Sequence, residues 1–553
     1  MTRQPNILLI VTDQEYAHQP VPEDFALPNR DRIRARGVMF DHHHCTTTVC
    51  TPSRSVMYTG RHTPHTRMFD NTNFAWIDDM KADPDALPTI GHMLRELGYH
   101  TVYKGKWHLS ELPTEGSRDA MEPYGFSEFQ DFGDVIGGPL DGALKDPKIA
   151  EEAVDWLATR AADVAEATPW FMAVNFVNPH DVMFFDTDAE EMVQAKAMFP
   201  IFDAPDTPLY NQQWQTTLPA SFFDDLEGQP PAVRDYKRLC DMYYGRIPTD
   251  RRDMWHNHVN YYLNCILDVD RHIGAVLDEL EASGQADDTI VIFTADHGEQ
   301  GGAHHLRQKG SVAFKESVNV PLVIADPRHP DERRSDAVGS HLDLVPTILA
   351  FAGMSDDERR ERYPLLNGQD LSGVVSDPTS AGPRGSSATP GKGSLLTYDM
   401  IATVDAEWFV RNVTKVFDAA AAAAGEEFHR GMEQFKGLVD EIGVPDLDAR
   451  ELFRGVFDGR YKLIRYFGMG HYHLPASVQQ LLADNDVALY DLQSDPEEMD
   501  NLADPAHPRY DEALLSAMNQ KLNALIAEEI GEDEAMFTPP EQVSQEQEGR
   551  QRR

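Results

Sequence analysis

The sequence predicts an α/β protein with a large, doubly wound mixed sheet flanked by helices and a smaller C-terminal α+β domain. Three observations carry that expectation. Asn6 to Thr12 (NILLIVT) and Thr289 to Thr294 (TIVIFT) are unbroken apolar runs, the pattern of strands buried on both faces. Helix-like stretches alternate with strand-like ones, the rhythm of a doubly wound sheet. At 553 residues the chain is too long for one ordinary core, so a large domain plus a smaller one is expected.

The first apolar run ends in Asp13-Gln14 and so delivers a carboxylate at the C-terminal end of a strand. Helices around Pro88 to Leu97 and Ala150 to Ala165 follow, then a strand from Trp170 to Val177 (WFMAVNFV). The aromatic and proline-rich stretch from Phe184 to Pro248 has weak periodicity and reads as an insertion that shapes a substrate mouth. From about His256 to Ala282, Tyr262, Ile266, Val269, Ile273, Val276, Leu277 and Leu280 recur at helical spacing. The second apolar run ends in Ala295-Asp296-His297-Gly298.

Ser376 to Ser394 is rich in Gly, Ser and Pro and reads as a flexible surface connection, which places a catalytic domain at 1–394 and the α+β domain at 395–530. Within the latter, Arg460 to Tyr466 and Ala488 to Leu492 read as short strands, and Pro508 to Glu528 as a helix across them. Residues 531–553 are polar and read as a disordered tail or an arm of a homo-oligomer. Ala419 to Ala424 is a low-complexity helix former without chemistry.

Forty-nine basic against 92 acidic side chains give a net charge of −43, which argues against nucleic acid or an anionic membrane as partner. A chain this negative must concentrate positive charge locally if its substrate is an anion. No apolar run is long enough to span a bilayer, and the N-terminus enters its first strand without a signal-peptide pattern, so a cytoplasmic protein is expected. The four cysteines, Cys45, Cys50, Cys240 and Cys265, show neither metal-ribbon spacing nor a disulfide framework, and Cys265 falls in the buried face of a helix.

Ligands bind outside the C-terminal strand edge of open α/β sheets, so two distant strands bring Asp13 and Asp296 to one crevice. With His297 they form a set of hard oxygens and one imidazole suited to a divalent cation, Mn²⁺ ahead of Mg²⁺ or Ca²⁺. Each residue alone has a plainer reading as a turn former, cap or loop residue.

Cys50-Thr51-Pro52-Ser53-Arg54 has the CxPSR pattern read by the machinery that oxidises cysteine to formylglycine (3-oxoalanine), and here the chain resembles the type I sulfatases of the alkaline phosphatase superfamily. Further matches are GYHTVYKGKWH (Gly98 to His108), VNPHD around His180, LRQKGS around Lys309, GRYKLIRY (Gly459 to Tyr466) and LYDLQSDPEEMDNLADP (Leu489 to Pro505). The resemblance therefore runs from Ile7 to about Pro505.

That resemblance implies a formylglycine at position 50, installed by a formylglycine-generating enzyme, whose oxygen joins Asp13, Asp296 and His297 on the metal. It implies Lys106 and His108 beside the nucleophile and the substrate's oxyanion, His180 as proton donor to the leaving alcohol, Lys309 as a clamp on the sulfate, and Arg54 holding the surroundings positive. Gln14 departs from the second Asp of many sulfatases, and reads as a weak ligand or orienting group. Arg67 to Asn71 (RMFDN) is similar to a choline-sulfatase segment, which puts Asn71 near the substrate. The activity implied is sulfuric ester hydrolysis, foremost of an aryl ester, on a small-molecule substrate. The alternatives are phosphonate monoester or phosphodiester hydrolysis with the same nucleophile, or choline sulfate hydrolysis; the Lys106-x-His108 pair favours sulfate.

Other clusters carry less. His42-His43-His44 cannot all chelate one ion, because neighbours on an extended chain point to alternating faces. His304 and His305 read as loop or rim residues, Lys104 as part of a solvated loop and Lys315 as a surface residue. Phe74, Trp76, Trp107, Phe184 and Phe185 read either as walls of an apolar leaving-group pocket or as core.

Overall fold

In the computed structural model a seven-stranded mixed sheet forms the larger part of the protein, and a four-stranded antiparallel sheet packs beside it. The structure describes residues 4–533 other than 73, 75, 76, 78, 114–116, 188–200, 413–442, 444 and 470–473. The Ala419 to Ala424 run, Trp76 and residues 534–553 of the polar tail lie outside the described residues.

The large sheet runs in the order β3-β4-β1-β5-β6-β2-β7. Its strands are β1 (Asn6–Asp13), β2 (Val38–His44), β3 (His100–Gly105), β4 (Trp170–Pro179), β5 (Thr289–Ala295), β6 (Leu322–Ala325) and β7 (Arg333–Ser340). β3, β4, β1 and β5 are mutually parallel, whereas β6 runs antiparallel to its neighbours β5 and β2. The predicted doubly wound mixed sheet is therefore present.

The apolar run of β1 is buried on both faces. Ile7, Leu9 and Val11 enter one core, and Leu8 and Ile10 enter the other. Each such side chain contributes on the order of 2 kcal/mol by leaving water. The second core is closed by Val269, Ile273, Val276, Leu277 and Leu280 of the long helix Arg252–Ala282, close to the span the periodicity predicts.

Register decides where the chemistry goes. Ile7 pairs with Phe171 and Asp13 with Pro179, while Thr12 pairs with Ala295. Asp13, His180 and Asp296 thus leave neighbouring strands at one edge. β3 adds Lys106 to it, because Gly105 pairs with Asn175 and turns the chain there. Gly105 has φ +94°, and a Cβ at this position would lie 1.9 Å from the Asn175 carbonyl oxygen, so a larger residue cannot make that turn.

The smaller sheet has the order β11-β10-β9-β8, from β8 (Ser394–Tyr398), β9 (Leu452–Phe457), β10 (Tyr461–Phe467) and β11 (Asp486–Asp491). One face, including Leu395, Val456, Leu463 and Leu489, packs on Leu515, Met518 and Leu522 of the helix Glu512–Glu529. The other face, including Leu396, Phe453, Ile464 and Tyr466, shares the core of the large sheet.

Several readings change at this level. The segment 376–394 is anchored, since Arg384 is fully buried and bonds Asp343 and Glu529. Lys315 is no free surface residue: its Nζ donates to Pro496 O at 2.7 Å and pairs with Glu497 at 2.9 Å. Lys104 belongs to β3 rather than to a solvated loop, and its buried side chain pairs with Glu152 at 2.8 Å. His304 is buried rather than at a rim, stacked on Phe314 and bonded through Nδ1 to Asp224 at 2.8 Å. His43 and His44 are buried strand residues.

Candidate active site

The helix Cys50–Thr59 is buried along its whole length and starts against the C-terminal edge of the large sheet. Its entry is strained, with Val49 at φ 63°, and it is held by Thr51 N donating to Asn71 Oδ1 at 3.1 Å. This contact gives Asn71 a role in seating the helix that carries Cys50.

Cys50 Sγ lies 3.6 Å from Asp13 Oδ1 and 3.3 Å from His297 Nε2. Ligand atoms of Asp13, Cys50, Asp296 and His297 all fall within 4.8 Å of one another, and all four residues are buried. His297 Nδ1 faces its neighbour's Gly298 O at 3.1 Å, which leaves Nε2 as the lone-pair nitrogen toward the cluster. Oxygen-rich donors plus one neutral imidazole fit a hard divalent cation.

Two cations reach into this cluster. Arg54 bridges the carboxylates, NH2 to Asp13 Oδ2 at 2.9 Å and Nε to Asp296 Oδ2 at 3.0 Å. Lys106 Nζ lies 2.7 Å from Asp13 Oδ2. Burial opposes the charge on Asp13, but Lys106, His180 and Arg54 outweigh it and hold the carboxyl well below its ordinary range. Asp296 goes the other way, pushed up to about 7 by burial and then by the Asp13 charge. Burial, followed by Asp13, raises the Cys50 thiol to about 11, so an unmodified cysteine here is protonated at neutral pH and a poor nucleophile.

His180 and Lys106 sit side by side. A Cβ on Gly137 would lie 2.9 Å from Lys106 Nζ and 3.1 Å from His180 Nε2, so only glycine lets the 133–140 loop cover this pair. Burial first, then Lys309 and Lys106, hold His180 well below the ordinary imidazole range. His108 is lowered likewise, by burial, Lys106 and Arg54. Its backbone has φ 55°, and Asp134 fixes the turn by accepting from Trp107 N at 2.7 Å and His108 N at 2.9 Å.

Gln14, also at positive φ (70°), is gripped rather than loose. Its Nε2 donates to Glu299 Oε2 at 2.5 Å, and its Oε1 accepts from Lys309 Nζ. Gln14 therefore orients Lys309. Ser53 Oγ donates to Asp296 O at 2.5 Å and faces His341 Nδ1 at 3.2 Å, tying the helix that starts at Cys50 to the β5 loop.

Glu299, Asp134 and His341 escape sequence reasoning; only Glu299, three residues beyond Asp296, left a local signal. Of the aromatic candidates, Trp107 and Phe185 are core residues, packed on Tyr58, Tyr103 and Tyr124, and on Tyr261. Phe74 is buried with Phe409. Phe184 stands beside the site, its ring 6.1 Å from that of His180.

The family model for sulfatases matches residues 5–354, well over half of the chain. The chain belongs to the sulfatase family. An uncharacterised sulfatase of Escherichia coli K12 is 27% identical over 396 residues, covering 66% of this chain and 70% of the relative. A choline-sulfatase of Rhizobium meliloti is 25% identical over 409 residues, covering 66% and 72%. Among solved structures, a phosphonate monoester hydrolase from Silicibacter pomeroyi aligns over 96% of both chains with a TM-score of 0.63 at 19% identity, a likeness of fold. This sulfatase is a hydrolase of sulfate esters, and its family works with a divalent metal and a formylglycine. Among the described residues no helix is long and apolar enough to cross a membrane.

Proposed function

We propose that this sulfatase cleaves sulfate monoesters with a formylglycine hydrate made from Cys50. The observation that carries the reading is the position of the Cys50 side chain, inside a buried ring of Asp13, Asp296 and His297 and under Lys106 and Arg54. Asp13, Asp296, His297 and the oxygen of residue 50 would hold a divalent cation, Mn²⁺ in first place, which when bound supplies Lewis-acid stabilisation of negative charge on that oxygen.

The protein's own groups divide the remaining work. Lys106, Lys309 and Arg54 offset charge on the sulfuryl oxygens as one hydroxyl of the hydrate, its proton passing to Asp296, attacks sulfur and the S–O bond to the alcohol breaks. His180 gives its proton to the departing oxygen. A bound sulfate ester anion favours the protonated His180 by countering Lys309 and Lys106, the cations that otherwise disfavour it. His108, neutral in these surroundings, takes the proton of the second hydroxyl. The carbonyl then re-forms, the carbon–oxygen bond to sulfate breaks, and water rehydrates the aldehyde.

A phosphonate monoester is the second reading, and choline sulfate a third substrate. The Lys106-x-His108 pair favours sulfate monoesters. The mass of the peptide spanning position 50, from protein made with the modifying enzyme, tests the nucleophile. An unmodified cysteine in fully active protein would overturn it. Catalytic efficiencies on one aryl leaving group, presented as sulfate and as phenylphosphonate, test the substrate class.

A further inference from the structure

His180 lacks the support that a proton-transferring imidazole commonly has, a hydrogen bond at the nitrogen that does not pass the proton. Its Nδ1 is buried and has no hydrogen-bond partner among the described residues. The ring therefore depends on packing: Phe184 lies 6.1 Å away between ring centres, and Gly137 lies against Nε2. What holds Gly137 in place then matters to the chemistry.

The 133–140 loop is strapped at both ends to the segments that carry the site. At its start Asp134 accepts from Trp107 N and His108 N, in the turn that follows Lys106. Within it, Gly138 N donates to Asp141 Oδ2 at 2.6 Å. At its far end the chain enters the helix Asp141–Trp156 through Leu140, at φ 62°, and no side chain at that position caps the helix. Two N–H groups that this first turn leaves open go instead to Asp181, the residue after His180. Its Oδ1 accepts from Gly142 N and its Oδ2 from Ala143 N, both at 2.9 Å.

A helix cap has a plain structural use, yet a buried carboxylate is a costly one. Asp181 is 1% exposed, and burial pushes its carboxyl up to about 7. The Ala143 and Gly142 N–H groups pull against that, while the charges of Asp141 and Asp268 add to it. An uncharged acceptor would avoid most of this cost. What the carboxylate adds is a second oxygen, and with it a two-point fastening of the helix start beside His180.

We propose that Asp181 is a positioning residue for His180: by fastening the start of the Asp141–Trp156 helix it keeps the 133–140 loop against the imidazole. Nε2 then stays aimed at the oxygen of the departing alcohol, which takes its proton as the S–O bond breaks, and water is kept from competing for that proton. This role deepens the reading of His180 as the proton donor and rests on it. Asp181 acts through the loop and not on the substrate.

The test is a double-variant cycle on aldehyde-bearing full-length protein with an alkyl sulfate and 4-nitrophenyl sulfate. Asp181→Ala should lower kcat on the alkyl sulfate about tenfold or more, while kcat on 4-nitrophenyl sulfate, whose leaving group needs no proton, stays within about threefold. In the His180→Asn background the same Asp181→Ala change should cost no more than about twofold on the alkyl sulfate, because no donor is left to aim. Asp181→Asn keeps one accepting oxygen. It should fall between wild type and Asp181→Ala on the alkyl sulfate, with its melting temperature within a few degrees of wild type, and it replaces Asp181→Ala in the cycle if that variant does not fold. No loss on the alkyl sulfate, equal losses on both substrates, or the full loss repeated in the His180→Asn background would each reduce Asp181 to a helix cap and overturn the positioning role. Failure of the underlying reading has a different signature: His180→Asn alone then loses as much on 4-nitrophenyl sulfate as on the alkyl ester, and the role of Asp181 falls with it.

Discussion

Two buried charge networks in this protein use the same parts for opposite ends. In one, Arg384 clamps Asp343 with two bonds of 2.7 Å, reaches Glu529 at 2.6 Å and donates to Gly393 O at 2.9 Å. Glu529 is met by His62 at 2.9 Å. In the other, Arg54 spans Asp13 and Asp296 beneath Cys50. The first network is closed: Glu529 sits at about 2, because Arg384 and His62 outweigh its burial. The second is open: Asp296 rides up to about 7, and His108 Nδ1 and His180 Nδ1 have no hydrogen-bond partner among the described residues. The network that locks two sheets together bonds its arginine to both of its carboxylates, whereas one built for a reaction leaves hydrogen-bonding capacity for what arrives.

The comparison breaks most visibly at position 50. Cys50→Ala should lower turnover by more than about a thousandfold while thermal unfolding stays within a few degrees, because an open site loses chemistry rather than packing. Assay and melting curve on the same preparation check this, and an active variant would sink the mechanism. Arg384→Met should do the reverse. It strands two buried carboxylates and should cost about 3–5 kcal/mol in denaturant unfolding, with kcat of the surviving folded fraction little changed.

His180→Asn should reduce kcat by about a hundredfold or more on alkyl sulfates and far less on 4-nitrophenyl sulfate, whose leaving group needs no proton. Equal losses on both would remove His180 from that role. Metal removal by a chelator should abolish turnover and be reversed by Mn²⁺, with the Arg384 network, followed by melting of the metal-free protein, still in place.

The smallest effect is in acid. The folded pKa of Glu529 is depressed, so its stabilisation is complete above the unfolded value near 4.5 and is lost as pH falls toward about 2. Wild-type unfolding free energy should therefore decline across that window, and the Arg384→Met variant should decline less. Parallel slopes would show that the closed network is not what acid attacks.

How much was legible differs between the two networks. The open one announces itself in short motifs, because each of its residues sits at a strand end or helix start, where local sequence marks the spot. Lys104 and Lys106 show the limit of such reading. Two positions apart, one goes to Glu152 and the other to Asp13, since Gly105 turns the chain between them. The closed network is invisible in sequence. Asp343, Arg384 and Glu529 are far apart along the chain, and a stretch rich in Gly, Ser and Pro hides the arginine that anchors it.

The sequence by itself determined the buried strands, the nucleophile motif and the acidic strand ends, because apolar runs and turn residues act over a few positions. Tertiary structure alone decided what surrounds them: that Glu299 grips Gln14 so that it faces Lys309, and that Asp134 sets His108. Those depend on strand register and on packing between segments tens to hundreds of residues apart, where Coulomb energies and desolvation are set by distance in space rather than along the chain.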